Sequence, residues 1–233
     1  MPARNVLVTT TCRSEAAPAT VRSNAIRGVA FASCYVYSPK GTGAESERSR
    51  VLRELLKAGE ARFLFHCADR VRREVDANAL LSGFLGASSV LVPVPGSAPS
   101  CANDRLIAER LAAAFIAEGL GKAIWRGVRR VRRVRKSATA SPGSRPTVAE
   151  HYDSFAVERG VAAPSRIILV DDVVTKGRTL LAAAARLREA FPRSDIRAFA
   201  LLRTMGLGQK VERLLDPCVG EIRWRAGDAH RYP

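Results

Sequence analysis

The residues best placed to do chemistry are the run Ile167-Ile168-Leu169-Val170-Asp171-Asp172-Val173-Val174-Thr175-Lys176-Gly177-Arg178-Thr179. Four apolar residues, of the kind that fill a strand buried on both faces, end in two adjacent carboxylates. A short Thr/Gly loop then feeds into a helix-forming segment. In an open α/β sheet, ligands bind beyond the carboxyl ends of the strands. A loop at a helix N-terminus offers successive backbone N–H groups, and here also the hydroxyls of Thr175 and Thr179, which together suit a phosphate. Gly177 is expected to let the backbone approach that phosphate closely. Adjacent carboxylates suit vicinal hydroxyls or a hydrated magnesium ion. Phosphate, diol and metal in that arrangement describe a ribose 5-phosphate. The plainer alternative is an ordinary strand–turn–helix with Thr179 as N-cap and two exposed aspartates.

These thirteen residues resemble the phosphoribosyl pyrophosphate (PRPP) signature of the type I phosphoribosyltransferases: four apolar residues, two acids, two apolar residues, then T-x-G-x-T. Every constrained position matches, in the strand-to-helix context that the motif requires. The resemblance implies that Asp171 and Asp172 hold the ribose hydroxyls and Mg, directly or through water, as the catalytic acids. It implies that Thr175, Lys176, Gly177, Arg178 and Thr179 cradle the 5-phosphate. The reaction implied is transfer of a phosphoribosyl group from PRPP to an unidentified base or amine, with release of pyrophosphate. In the purine-salvage branch an acid stands where this chain has Thr175, which argues against hypoxanthine or guanine as acceptor. The rival reading is a non-enzymatic PRPP or nucleotide sensor, acting in regulation or as a DNA-uptake accessory.

A second segment, Val90-Leu91-Val92-Pro93-Val94-Pro95, looks like the strand before the pyrophosphate loop in the competence-associated ComF branch. Pro95, Gly96 and Ser97 are its pyrophosphate candidates, although the loop is shorter and lacks that branch's usual basic residues. The branch's four-cysteine zinc finger is missing too. Arg126 to Lys136 carries seven basic residues in eleven, and Gly121 to Glu150 holds half of the net charge of +16. In the family, the segment after this strand closes over PRPP as a hood loop, which makes Arg135, Lys136 and Arg145 candidates for contacting the pyrophosphate. The same arginines would also serve to protect a sheet edge. Few aromatics interleave them, which disfavours the third reading, nucleic-acid binding. His151 could titrate near neutrality as a general acid or base, but a lone histidine beside a loop is more often structural.

The spacing of apolar residues and turn signals predicts the elements that must position these groups. Strand candidates are Asn5–Thr10, Phe63–Phe65, Ser89–Val92, Lys122–Val134, Arg166–Val170 and Ile196–Leu202, and Val29–Tyr37 is an apolar run with no assigned element. Helix candidates are Ser46–Leu56, capped by Ser46 with Val51, Leu52, Leu55 and Leu56 on one face, then Asp76–Leu85 with Ala79, Leu80 and Gly83 inward. Asn103–Glu118, Thr147–Phe155 and Thr179–Ala190 follow, with Ser137–Pro146 as a loop. Strands alternating with helices give an α/β fold with a mainly parallel sheet, which the resemblance sharpens to about five strands with a small N-terminal hood. The expected organisation is 1–75 for the N-terminal segment and hood, 76–205 for the core and 206–233 for a C-terminal extension. The hood, residues 30–90, is where the acceptor would be chosen.

The chain's 233 residues are ample for one core, and 47% hydrophobic content excludes a wholly disordered chain. No apolar stretch is long enough for a membrane span, and no secretory leader is expected, so the sequence reads as a cytoplasmic protein. Net charge of +16 points to an anionic partner without choosing among phosphorylated small molecule, nucleic acid and acidic lipid. Five cysteines with wide spacing and no C-x-x-C pair indicate neither a disulfide framework nor a zinc ribbon. A homodimer is a further expectation.

Overall fold

A computed structural model describes residues 27–99, 107–135, 145–158, 163–206 and 209–233. In chain order the elements are β1 (Gly28–Tyr37), α1 (Ala44–Ala58), α2 (Ala61–Ala77), α3 (Ala79–Ser82), β2 (Val90–Pro93), α4 (Ile107–Ala117), β3 (Ala123–Ile124) and β4 (Val128–Arg130). Then come α5 (Val148–Ser154), β5 (Phe155–Val157), β6 (Arg166–Val174), α6 (Arg178–Ala190), β7 (Asp195–Thr204), β8 (Leu215–Arg225) and β9 (Asp228–Tyr232). Seven strands form one sheet in the order β3-β2-β6-β7-β1-β8-β9. The first five are mutually parallel, and β8 and β9 extend the sheet as an antiparallel hairpin. β4 and β5 pair separately as an antiparallel ribbon.

The apolar run of β6 explains why helices cover both faces. Ile167 and Leu169 enter one core cluster with Leu180, Leu181 and Leu187 of α6 and Tyr152 of α5. Ile168 and Val170 enter a second cluster with Leu56, Leu64, Val71, Leu111 and Phe115 of α1, α2 and α4. A strand with no polar face can lie only in the middle of such a sandwich. Four consecutive alanines, Ala182 to Ala185, are fully buried in α6 and let that helix lie close against the sheet. On the other face, the rings of Phe115 and Phe199 meet edge to face at 5.3 Å. The mixed α/β architecture with a mainly parallel sheet is therefore as the alternation predicts. The sheet gains two further strands from the C-terminal hairpin, and β1 is an interior strand of it.

Several local expectations are corrected. Phe63–Phe65 is not a strand but part of α2, because Leu64, Cys67, Ala68, Val71 and Val75 recur on one helical face and are the buried residues. The predicted helix Asp76–Leu85 is broken at Asn78, whose side chain accepts from the Leu80 backbone N–H at 3.0 Å and starts α3 afresh. Leu81 is the inward residue there, and Leu80 is 66% exposed. Ser46 does not cap α1; it lies buried inside the helix, which begins at Ala44. Of the face predicted for α1, Leu56 is buried while Val51 and Leu55 are exposed. Lys122–Val134 is two strands rather than one, since the chain leaves the main sheet after Ile124 and re-pairs with β5 from Val128. The predicted Asn5–Thr10 strand, Cys12, Cys101 and the predicted helix start at Asn103 lie outside the described residues.

Candidate functional site

From β2 the chain crosses outward to β3, whereas from β6 it crosses the other way to β7. Two adjacent parallel strands whose onward connections diverge leave a crevice beyond their carboxyl ends. The segments leaving those two strands are Val94–Ser97 and Thr175–Gly177; the strand expected to stop at Val170 runs on to Val174, so the two acids lie within the C-terminal half of β6. The Val94 N–H donates to the Val170 carbonyl at 2.9 Å, so the β2 exit starts beside that half of β6.

The acids stand near the end of β6. The Asp172 N–H donates to Asp171 Oδ1 at 2.9 Å, and the Val173 N–H donates to Asp172 Oδ1 at 2.8 Å. Burial, then the neighbouring Asp172 charge, hold the Asp171 carboxyl well above the usual carboxylate range; the Arg130 charge pulls the other way. Among the described residues, no group of three or more His, Cys, Asp or Glu side chains gathers around a metal position. Two carboxylates alone fit Mg in its usual mode, in which the ion keeps several waters and takes its remaining ligands from substrate phosphates.

The loop after β6 turns sharply into α6. Gly177 is the N-cap, with φ 85° and ψ 16°, and no side chain caps the helix. The first intrahelical bond there runs from the Leu181 N–H to the Gly177 carbonyl, which leaves the N–H groups of the first turn without intrahelical partners. That is the arrangement an anion fills. Thr179 is not the N-cap; its Oγ1 lies 3.4 Å from His151 Nε2. Thr175 Oγ1 lies 3.0 Å from Thr204 Oγ1. Glycine at position 177 is required by the fold itself: its φ favours glycine, and a Cβ there would stand 2.5 Å from Ile222 of β8.

Lys176 and Arg178 are engaged by Asp228 of β9. Arg178 holds Asp228 in a two-pronged pair at 2.5 and 2.7 Å, and Lys176 joins it at 2.9 Å. Hydrogen bonding to Arg178 drives the Asp228 carboxyl far below the usual range. Arg178 also donates to the carbonyls of Arg145 and Pro146, at 3.3 and 3.1 Å, which brings Arg145 to this loop. What Lys176 and Arg178 offer a phosphate is therefore backbone N–H rather than unpaired charge.

Arg130 fills the space beside the β2 exit. Its guanidinium donates to the Gly96 carbonyl and to Ser154 Oγ, reaches the Pro95 carbonyl at 3.4 Å, and lies over the Phe155 ring at 4.2 Å. It is 5% exposed, and burial lowers its pKa to about 10. The Ser97 carbonyl accepts from the Val134 N–H at 2.8 Å, so all three pyrophosphate candidates are tied to the basic segment. Arg135 is exposed, Arg145 is half-buried, and Lys136 lies outside the described residues. Elsewhere in the basic cluster, Arg126 pairs with Glu109, Arg129 with Glu158, and Arg132 donates to the Asp153 carbonyl.

Neither Arg130 nor Asp228 stands out as a site residue in the sequence. The signal for Arg130 is its phase: in the order buried, exposed, buried, Val128-Arg129-Arg130 puts the second arginine inward. Asp228 has no comparable signal, because it meets Arg178 across 50 residues of chain.

No protein-family model matches the chain, and no curated protein matches it. Among solved structures it is similar to a hypoxanthine phosphoribosyltransferase from Staphylococcus aureus, at 11% identity and a TM-score of 0.34, over 65% of this chain and 71% of that one. At that distance no residue's role passes from one protein to the other. Among the described residues, no helix is long and apolar enough to cross a membrane.

Proposed function

We propose that the chain is a phosphoribosyltransferase that binds PRPP at the crevice between β2 and β6 and transfers its phosphoribosyl group to an acceptor, releasing pyrophosphate. One observation carries the reading: the acids and Thr/Gly loop that resemble the PRPP signature occupy the C-terminal half of a central strand and the turn after it, where the connections diverge, leading into a helix N-terminus with no side-chain cap. The first-turn N–H groups of α6, with Thr175 and Thr179, bind the 5-phosphate. Asp171 and Asp172 take the ribose hydroxyls and, through water, Mg. When bound, Mg would offset the negative charge that grows on the departing pyrophosphate. Arg130 holds the Pro95–Gly96 segment by its carbonyls, which fixes the backbone that faces that group. Arg135 and Arg145 would add positive charge toward the pyrophosphate.

The test is a thermal melt with PRPP and Mg. A ligand at a hundred times its Kd stabilises by about 2.7 kcal/mol, which in a chain of this size raises Tm by roughly 5–10 °C. Thr179→Ala should shrink that shift. No shift in the parent protein would refute the reading, and pyrophosphate release with a panel of bases and amines would separate an enzyme from a sensor.

A further inference from the structure

Between the two loops of the crevice lies a histidine whose ring nitrogens are both engaged. His151 is 4% exposed, and its ring stacks on Phe155 at 6.4 Å between centroids. Nδ1 lies 3.5 Å from an Arg130 guanidinium nitrogen, and Nε2 lies 3.4 Å from Thr179 Oγ1. The chemistry of the partners assigns the roles. Arginine only donates, so Nδ1 must be the acceptor and the ring hydrogen sits on Nε2. Nε2–H then donates to Thr179 Oγ1. With that lone pair occupied, the Thr179 hydroxyl hydrogen is free to point elsewhere.

We propose that His151 is a positioning residue: anchored by Arg130, it turns the Thr179 hydroxyl so that this group donates to a phosphate oxygen at the N-terminus of α6. The inference rests on the phosphate-site reading above and deepens it. Through Arg130 the link continues to the carbonyls of Pro95 and Gly96, so one buried chain runs from the β2 exit to the β6 loop. A neutral ring is required, and burial together with the Arg130 and Arg178 charges lowers the His151 pKa to about 4. Such a histidine is a poor general base at neutral pH, since its lone pair already faces a cation. Long contacts of this kind are expected to tighten when the ligand is bound.

The test combines a spectroscopic signature with binding of ribose 5-phosphate, a probe that engages only this half of the crevice. In the parent protein, the nitrogen chemical shifts of the His151 ring should show Nε2 protonated and Nδ1 bare at neutral pH. His151→Leu should weaken ribose 5-phosphate binding about tenfold, the usual worth of one hydrogen bond to a charged group. His151→Gln, whose amide can accept from Arg130 and donate to Thr179, should restore binding to within about threefold of the parent. An Nδ1–H tautomer, an imidazolium at neutral pH, or a leucine variant that binds as tightly as the parent would overturn the assignment. Loss of binding in the glutamine variant equal to that in the leucine variant would do the same. If the parent binds no ribose 5-phosphate while the tautomer is as assigned, the phosphate-site reading is what fails, and the ligand role of His151 falls with it.

Discussion

The burial of His151 gives the protein a specific sensitivity to acid. In the unfolded chain the ring titrates near its ordinary 6.5; in the folded protein burial, then the Arg130 charge, lower this to about 4, with Glu150 pulling upward and Arg178 adding to the depression. A depressed pKa means that the unfolded state binds the proton first as pH falls. The contribution to stability is therefore complete above about pH 6.5 and is lost on descending toward about pH 4. Between about pH 8 and about pH 5 the loss is about 2 kcal/mol, and below both values it reaches about 3 kcal/mol. Urea denaturation measured at those two pH values, in parent and His151→Gln, isolates the effect, because glutamine keeps the hydrogen bonds and does not titrate. His66 and His230 are exposed and common to both proteins. The parent should lose about 2 kcal/mol more than the variant between the two conditions. Equal losses would refute the reasoning, since they would mean that the ring titrates alike in both states.

Other expectations follow from the same geometry. Gly177→Val puts a branched side chain at φ 85° against Ile222 and should destabilise the unliganded protein by about 3 kcal/mol, read as a lower urea midpoint. Replacing both acids, Asp171→Asn with Asp172→Asn, should remove any Mg dependence of PRPP binding. It should also raise apo stability at about pH 8, where the buried Asp171 charge is costly, and leave it unchanged at about pH 3, where the carboxyl is protonated in either state; a variant less stable at both pH values would contradict this. Binding to duplex DNA should be weak and fall steeply with salt, because Arg130 is buried and Arg126 and Arg129 already pair with acids; submicromolar affinity near 150 mM salt, about physiological, would refute that.

How much of this was legible in the sequence depends on how local the signal is. The run Ile167–Thr179 announces its strand, loop and helix because the apolar run, the Thr/Gly turn and the helix-forming segment follow one another directly in the chain. The alternation of strands with helices likewise announces the parallel sheet. Phe63–Phe65 misleads because three residues favour a strand while the buried positions of the whole of α2 repeat with a helical period, and the longer pattern wins. The break at Ile124 is invisible for a different reason: whether the following residues continue along β2 or pair with β5 depends on Phe155–Val157, well downstream. The candidate site divides in the same way. Asp171, Asp172 and the threonines can be read directly, whereas the commitments of Lys176 and Arg178 to Asp228 belong to a partner no window of sequence includes.

That ion pair has a consequence for the order in which the protein is made. A nascent chain that has emerged only as far as β7 already contains the five parallel strands and every site residue that the sequence singles out. It lacks Asp228 to neutralise Arg178, Ile222 to pack on Gly177, and the hairpin that holds both. Synthesis runs N-terminus first, so a chain folded only as far as β7 holds the parallel strands while Gly177 and Arg178 still lack their partners on β8 and β9. A polypeptide released before β8 and β9 would keep the parallel strands while losing the contacts that hold the loop at Gly177 and Arg178.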